Sequence, residues 1–162
     1  MINFQNFTTD YDGVEDRIRL SGRDAAGALA TVWLNLRMAN LLVPILVNWL
    51  ETRAVPAGPA HADVQKFQQD AAISLQQAAP TPPVPPLPGT LAVSIDYHFL
   101  AQGIRLTFKD QAGAVMAVVD LPELVLRQWL TILYQQHLRA GWPVGAFPAW
   151  VMVDPAAPAV LH

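Results

Sequence analysis

The side chains best suited to chemistry are the four histidines, His61, His98, His137 and His162. Asp96 and His98 fall on one face of an alternating stretch, and with His137 they would make an Asp/His set of the kind that holds zinc or iron. No spacing motif ties His137 to that pair, and the first half of the chain has no counterpart of it. Ordinary surface histidines are the expected reading, with no metal and no cofactor. Ser21, Ser74 and Ser94 lie in strand or helix settings without a Gly-x-Ser-x-Gly elbow. There is no phosphate loop, dinucleotide fingerprint or HExxH helix. Asp10, Asp12, Glu15 and Asp16 gather at a glycine-bearing turn, whereas a carboxylate pair tuned for acid–base work needs burial. No catalytic residue is assigned, and the chain is not expected to be an enzyme.

Cations offer a sharper alternative. Arg17, Arg19 and Arg23 alternate with Ile18 and Leu20, and Arg105 and Lys109 alternate with Ile104, Leu106 and Phe108. Each set therefore projects from one side of a half-buried strand, with Trp33 near the end of an adjoining strand as a stacking surface. Cationic sheet with interleaved aromatics is a common grip on single-stranded nucleic acid. The formal net charge of −3 works against it, because affinity for phosphate needs local positive charge. The default reading is a solvated outer face whose charges discourage edge pairing.

The elements that carry these residues repeat. Ile18 to Val32 aligns without a gap on Ile104 to Val118, with eight of fifteen positions identical, where unrelated segments share about one. Asp24-Ala25-Ala26-Gly27 and Asp110-Gln111-Ala112-Gly113 are the matching hairpin turns, each with a glycine able to take positive φ. In the first copy, strands are expected at Ile2 to Thr8, Val14 to Gly22 and Ala28 to Leu34, with an acidic turn at Asp10 to Asp12. A helix follows over about Asn35 to Arg53, with Leu41, Leu42, Ile45, Leu46 and Trp49 on its core face and a kink or an earlier start forced by Pro44. In the second copy, strands are expected at Leu91 to Leu100, Gly103 to Lys109 and Ala114 to Val119. The second helix starts with Asp120 as N-cap and runs to about Ala140, burying Val125, Trp129, Leu130 and Leu133. Between the copies, His61 to Ala79 reads as an amphipathic helix, with Val64, Phe67, Ala71, Leu75 and Ala78 opposite a glutamine-rich face. Pro80 to Pro88 is extended polyproline, a stiff spacer in preference to a PxxP ligand such as Pro82 to Pro85. A short strand at Ala149 to Val153 precedes the tail.

Composition sets the remaining bounds. Hydrophobic residues make up 52% of the 162 and charged residues 14%, with a mean hydropathy of +0.26. Charge this sparse favours a large buried fraction or association of copies. No cysteine is present, so disulfides and thiolate chemistry are excluded. Leu41 to Leu50, the most apolar run, is shorter than a bilayer requires, so no transmembrane segment is expected. Met1-Ile2-Asn3-Phe4 lacks the basic start of a secretory signal, and a cytoplasmic location is the default expectation.

In its repeat pattern, over Val14 to Arg53 and Thr90 to Ala140, the chain resembles the Whirly and related coactivator-type proteins, in which a strands-then-helix unit is duplicated or dimerised about a pseudo-dyad. That resemblance implies single-stranded DNA as a ligand for the arginine-bearing sheet. The lysine-rich KGKAAL motif of Whirly proteins has no match here, so no residue inherits a role.

The sequence thus predicts one α+β domain over 1–162. Repeat A covers about 1–53, a bridge about 54–89, repeat B about 90–153 and a tail 154–162. Each repeat is three strands and a helix, arranged about a pseudo-two-fold axis, with an added bridging helix and polyproline segment. The expected role is non-catalytic: a homo-oligomer or protein-partner binder contacting through Val64, Phe67 and Leu75. Single-stranded nucleic-acid binding through Arg17, Arg19, Arg23, Arg105, Lys109 and Trp33 is one alternative. A carrier of an apolar ligand, which would need a cavity between sheet and helices, is another.

Overall fold

Alternation in the sequence becomes two antiparallel meanders in the computed structural model, which describes residues 1–53, 58–76 and 88–152. The strands are β1 (Ile2–Phe4), β2 (Asn6–Asp12), β3 (Arg17–Arg23), β4 (Leu29–Leu34), β5 (Thr90–Leu91), β6 (Ser94–Leu100), β7 (Gly103–Lys109) and β8 (Val115–Pro122). The helices are α1 (Leu36–Arg53), α2 (His61–Ser74) and α3 (Glu123–Ala140). The fold class is α+β, with two four-stranded sheets ordered β1-β8-β7-β6 and β2-β3-β4-β5.

Neither sheet is built from one half of the chain alone. The strand expected at Ile2 to Thr8 breaks at Gln5, whose N–H donates to Arg23 O. Its first part, β1, pairs parallel with β8, while β2 pairs antiparallel with β3. The stretch from Leu91 to Leu100 breaks in the same manner, since β5 pairs parallel with β4 and β6 antiparallel with β7. Period-two alternation carries no mark of which sheet a strand joins. Asp10 to Asp12, expected as a turn, lie within β2, and the reversal falls on the residues up to Asp16.

The two hairpin turns have matching geometry. Asp24 Oδ1 accepts the N–H groups of Ala26 and Ala28 at 2.9 Å, and Asp110 Oδ1 those of Ala112 and Ala114 at 2.9 Å. Gly27 and Gly113 take φ of +85° and +79°, a conformation that a Cβ disfavours. A bulge at Phe108/Lys109 then shifts the second hairpin by one residue. Leu20 faces Val32 while Leu106 faces Val119, so Val119 occupies the buried place that the ungapped alignment gives to Val118.

Asn35 caps α1 through Oδ1, which accepts Met38 N–H at 2.9 Å, and the helix continues through Pro44 on its exposed side. Its buried face is Met38, Ala39, Leu42, Val43, Leu46, Val47, Trp49 and Leu50, so Leu41 lies outside it. In α3, Leu126 is buried and Val125 is not. Asp120 is the last exposed acid of β8 rather than an N-cap; Pro122 holds that position without a side-chain cap. Burial in the two helices runs in register, Leu42 with Leu126, Val43 with Arg127, Leu46 with Leu130, Val47 with Thr131 and Leu50 with Tyr134. A single core forms from both sheets and both helices, closed by Trp142, Phe147, Trp150 and Val151. Ala149 to Val151 form a turn, not a strand, because Trp150 and Val151 are drawn into that core. Ala78, the proline-rich run Pro80 to Leu87, Val153 and the tail lie outside the described residues.

Candidate functional site

The cations of the two strands do project to the outer faces, but they meet acids there. Arg19 sits opposite Asp10 in the β2–β3 register and pairs with it at 3.6 Å, and Arg17 pairs with Glu15 at 3.8 Å. Arg105 sits opposite Asp120, and its Nε and Nη2 donate to the two carboxylate oxygens at 2.7 and 2.8 Å. The bidentate contact lowers the Asp120 pKa and raises that of Arg105. Lys109 pairs with Asp96. Trp33 carries the Arg19 guanidinium at 5.9 Å from its ring and is closely overlain by Gly89, where a Cβ would lie 2.2 Å from Nε1. Among the described residues, Arg23 is the one member of the set without an ion pair. Cross-strand acids therefore meet Arg19, Arg105 and Lys109, and a turn acid meets Arg17, an outcome visible only once the strand register is known.

The carboxylate cluster is structural. Asp12 Oδ1 accepts the N–H groups of Glu15 at 3.1 Å and Val14 at 2.9 Å, which hold its pKa low. Asp16, at φ +50°, accepts Tyr11 Oη–H at 2.8 Å and Trp142 Nε1–H at 3.2 Å. The hydrogen bond to Asp16 is the main cause of a raised Tyr11 pKa.

The histidine set is not brought together. Asp96 and His98 are exposed on β6, whereas His137 is buried on α3 between Trp142 and Phe147, at ring-centroid distances of 5.3 and 4.9 Å. Its Nδ1 lies 2.8 Å from Leu133 O, and desolvation lowers its pKa. Among the described residues, no group of three or more His, Cys, Asp or Glu side chains could hold a metal ion. Ser21 Oγ is buried against Thr31 Oγ1 at 3.2 Å, and Ser74 Oγ donates to Ala71 O at 2.7 Å. Pro82 to Pro85 and His162 lie outside the described residues.

The bridging helix, α2, docks with the face opposite to the one expected. Gln65, Gln69 and Ala72 are buried against α3, while Phe67 is 75% and Leu75 64% exposed and Val64 is half-buried. Arg127, itself buried, explains the inversion. Its Nη2 donates to Gln65 Oε1 at 3.0 Å and Gln68 Oε1 at 2.7 Å, and its Nε to Glu123 Oε1 at 3.1 Å. Gln65 Nε2 donates to Leu50 O at 2.9 Å, and Gln69 Nε2 to Arg127 O at 2.7 Å and Thr131 Oγ1 at 2.8 Å. Trp150 covers the guanidinium, 5.7 Å from its ring centroid. Burial lowers the Arg127 pKa, with Glu123 opposing the shift. A buried cation must be hydrogen-bonded, and the glutamine stripe of α2 supplies the acceptors. The i,i+4 pairs Gln65/Gln69 and Glu123/Arg127 are the sequence trace of this cluster.

The largest side chains of the core fill the space between sheets and helices. Among the described residues, one cleft lies beside Asp16, Asn35 and Leu41 and another beside Gln5, Phe7, Pro122 and Val125. Among the described residues, no helix is long and apolar enough to cross a membrane. No family model, curated protein or solved structure was found to match the chain.

Proposed function

We propose that this is a non-catalytic protein that works by association, with copies of itself or with a protein partner. The observation that carries the reading is the orientation of α2. Its polar stripe is spent on Arg127, which leaves Phe67 and Leu75 directed to solvent beside half-buried Val64. Large apolar side chains held outward on an ordered helix are the usual material of a contact surface. Nucleic-acid binding fits less well, because four of its five cations are already paired with acids.

We further infer that the two halves descend from one strands-and-helix unit. The eight identities, the matching Asp-to-backbone turns and the parallel burial patterns of α1 and α3 support that descent.

Light scattering and sedimentation of the full chain at micromolar concentration test the association reading, with pull-down from matched lysates for a hetero-partner. A dimer or larger species, or a specific captured protein lost on Phe67→Ser/Leu75→Ser substitution, is expected. A monomer that retains no protein overturns it.

A further inference from the structure

Among the described residues the two sheets have four edges, and three of these are covered or short. β1 and β5, the free edges at one end of each sheet, are only 3 and 2 residues long. β2 is longer, but α3 lies along it: Gln136 Oε1 accepts Tyr11 N–H at 2.9 Å, Trp129 Nε1 donates to Thr9 Oγ1 at 2.9 Å, and Arg139 pairs with Asp10. The remaining edge is β6, Ser94–Leu100, seven residues long. Among the described residues, α1 packs against part of it, with Arg53 donating to Leu100 O at 3.4 Å, and no strand pairs with its outer edge.

β6 carries few of the devices that keep an edge from pairing; its one charged residue, Asp96, is paired with Lys109 of β7. Its sequence, SIDYHFL, holds no lysine, arginine, proline or glycine, and it combines β-branched and aromatic residues. Tyr97 is 45% and Phe99 56% exposed, with their rings 5.4 Å apart. By register they share a face with Leu106 and Ile104, which are core residues. That apolar face therefore runs on past the cover of the helices to the open edge.

The strand is complementary to itself in one register. Two copies of a strand paired antiparallel about a two-fold axis must be centred on a residue, since opposed residues share a face. Centring on Tyr97 sets Asp96 opposite His98 of the second copy, and Ile95 opposite Phe99. Centring on Asp96 or His98 sets like groups against each other. We propose that β6 pairs antiparallel with β6 of a second copy, centred on Tyr97, so that two four-stranded sheets join into one continuous sheet. This rests on the reading that copies of the chain associate, and it gives self-association a surface of its own, apart from the Phe67 and Leu75 face of α2.

Engineered cysteines test it cleanly, because the chain has none of its own. Tyr97 would face itself at a Cα separation of about 5 Å, within disulfide reach. Ser94 would lie about 20 Å from its copy, six positions along at ~3.3 Å each. Mild oxidation of the Tyr97→Cys chain should give a covalent dimer, and that of Ser94→Cys should not. Asp96→Cys mixed with His98→Cys should cross-link as the mixed pair, a second readout that does not depend on losing the tyrosine. Absence of both cross-links, or equal cross-linking of Ser94→Cys, overturns the β6 pairing. If wild type nonetheless sediments as a dimer, association stands and another surface carries it. If wild type is a monomer at micromolar concentration and these cysteines do not cross-link, self-association fails with the β6 pairing.

Discussion

Arg127 on α3 and Gln65 on α2 join through a 3.0 Å hydrogen bond between two side chains sealed from solvent. The guanidinium is the reason α2 lies where it does. Arg127→Leu should therefore release the helix as well as weaken the chain. Each buried amide left without its partner costs about 1–3 kcal/mol. Hydrogen exchange should show protection lost over His61–Ser74, with the pairs of β3 and β7 still protected. Retained protection in α2 would mean that the glutamine contacts do not hold it.

Gly27 and Gly103 separate two kinds of glycine requirement. A Cβ at Gly27 meets nothing within 4 Å, so Gly27→Ala carries only the penalty of φ +85°, about 1–2 kcal/mol. A Cβ at Gly103 would lie 2.1 Å from Leu121 O, and the backbone of the β7–β8 pair would have to move. Gly103→Ala should therefore be the more damaging change in chemical denaturation, despite its ordinary φ.

His137 should make stability depend on pH. Burial lowers its folded-state pKa below the 6.5 of an exposed histidine, so the unfolded chain takes up the proton first as the pH falls. Its contribution is complete above pH 6.5 and is lost progressively below that, towards the folded-state value. In a comparison of unfolding free energies, His137→Leu should remove that segment of the acid dependence. An unchanged profile would mean that the imidazole takes up its proton as readily in the folded chain as in the unfolded one.

Trp129 couples α3 to β2 as well as filling the core. Its indole donates to Thr9 at 2.9 Å and meets Phe7 edge-on at 5.6 Å. Trp129→Ala should cost about 3–5 kcal/mol in urea unfolding. Thr9→Val, which keeps the volume and removes the acceptor, should cost less.

What the sequence made legible was whatever is decided within a few residues. Ile18 and Leu20 against Arg17 and Arg19 mark β3, and Asp24 with Gly27 marks its turn, because alternation and turn geometry are local. The burial of Trp129 and Leu133 follows from helical spacing in the same way. Long-range partners decide the rest. Phe67 and Leu75 satisfy the apolar period of α2 as well as any core residues do, yet a single arginine on α3 turns that face outward. Arg19 and Arg105 read as free cations until the register sets Asp10 and Asp120 across from them. The sheet change at Gln5 follows from Phe4 meeting Val119, a pairing with no local trace.

The crosswise placement of β1 beside β8, and of β5 beside β4, has a kinetic corollary. Ile2 finds Ala117 only once the chain through Ala117 exists, so during synthesis Ile2–Phe4 waits without this partner. Loop closure over such a span precedes any reward from contact, which slows assembly. Severed between its meanders, each fragment would keep a seam meant for the other, and the pair should regain structure only on mixing.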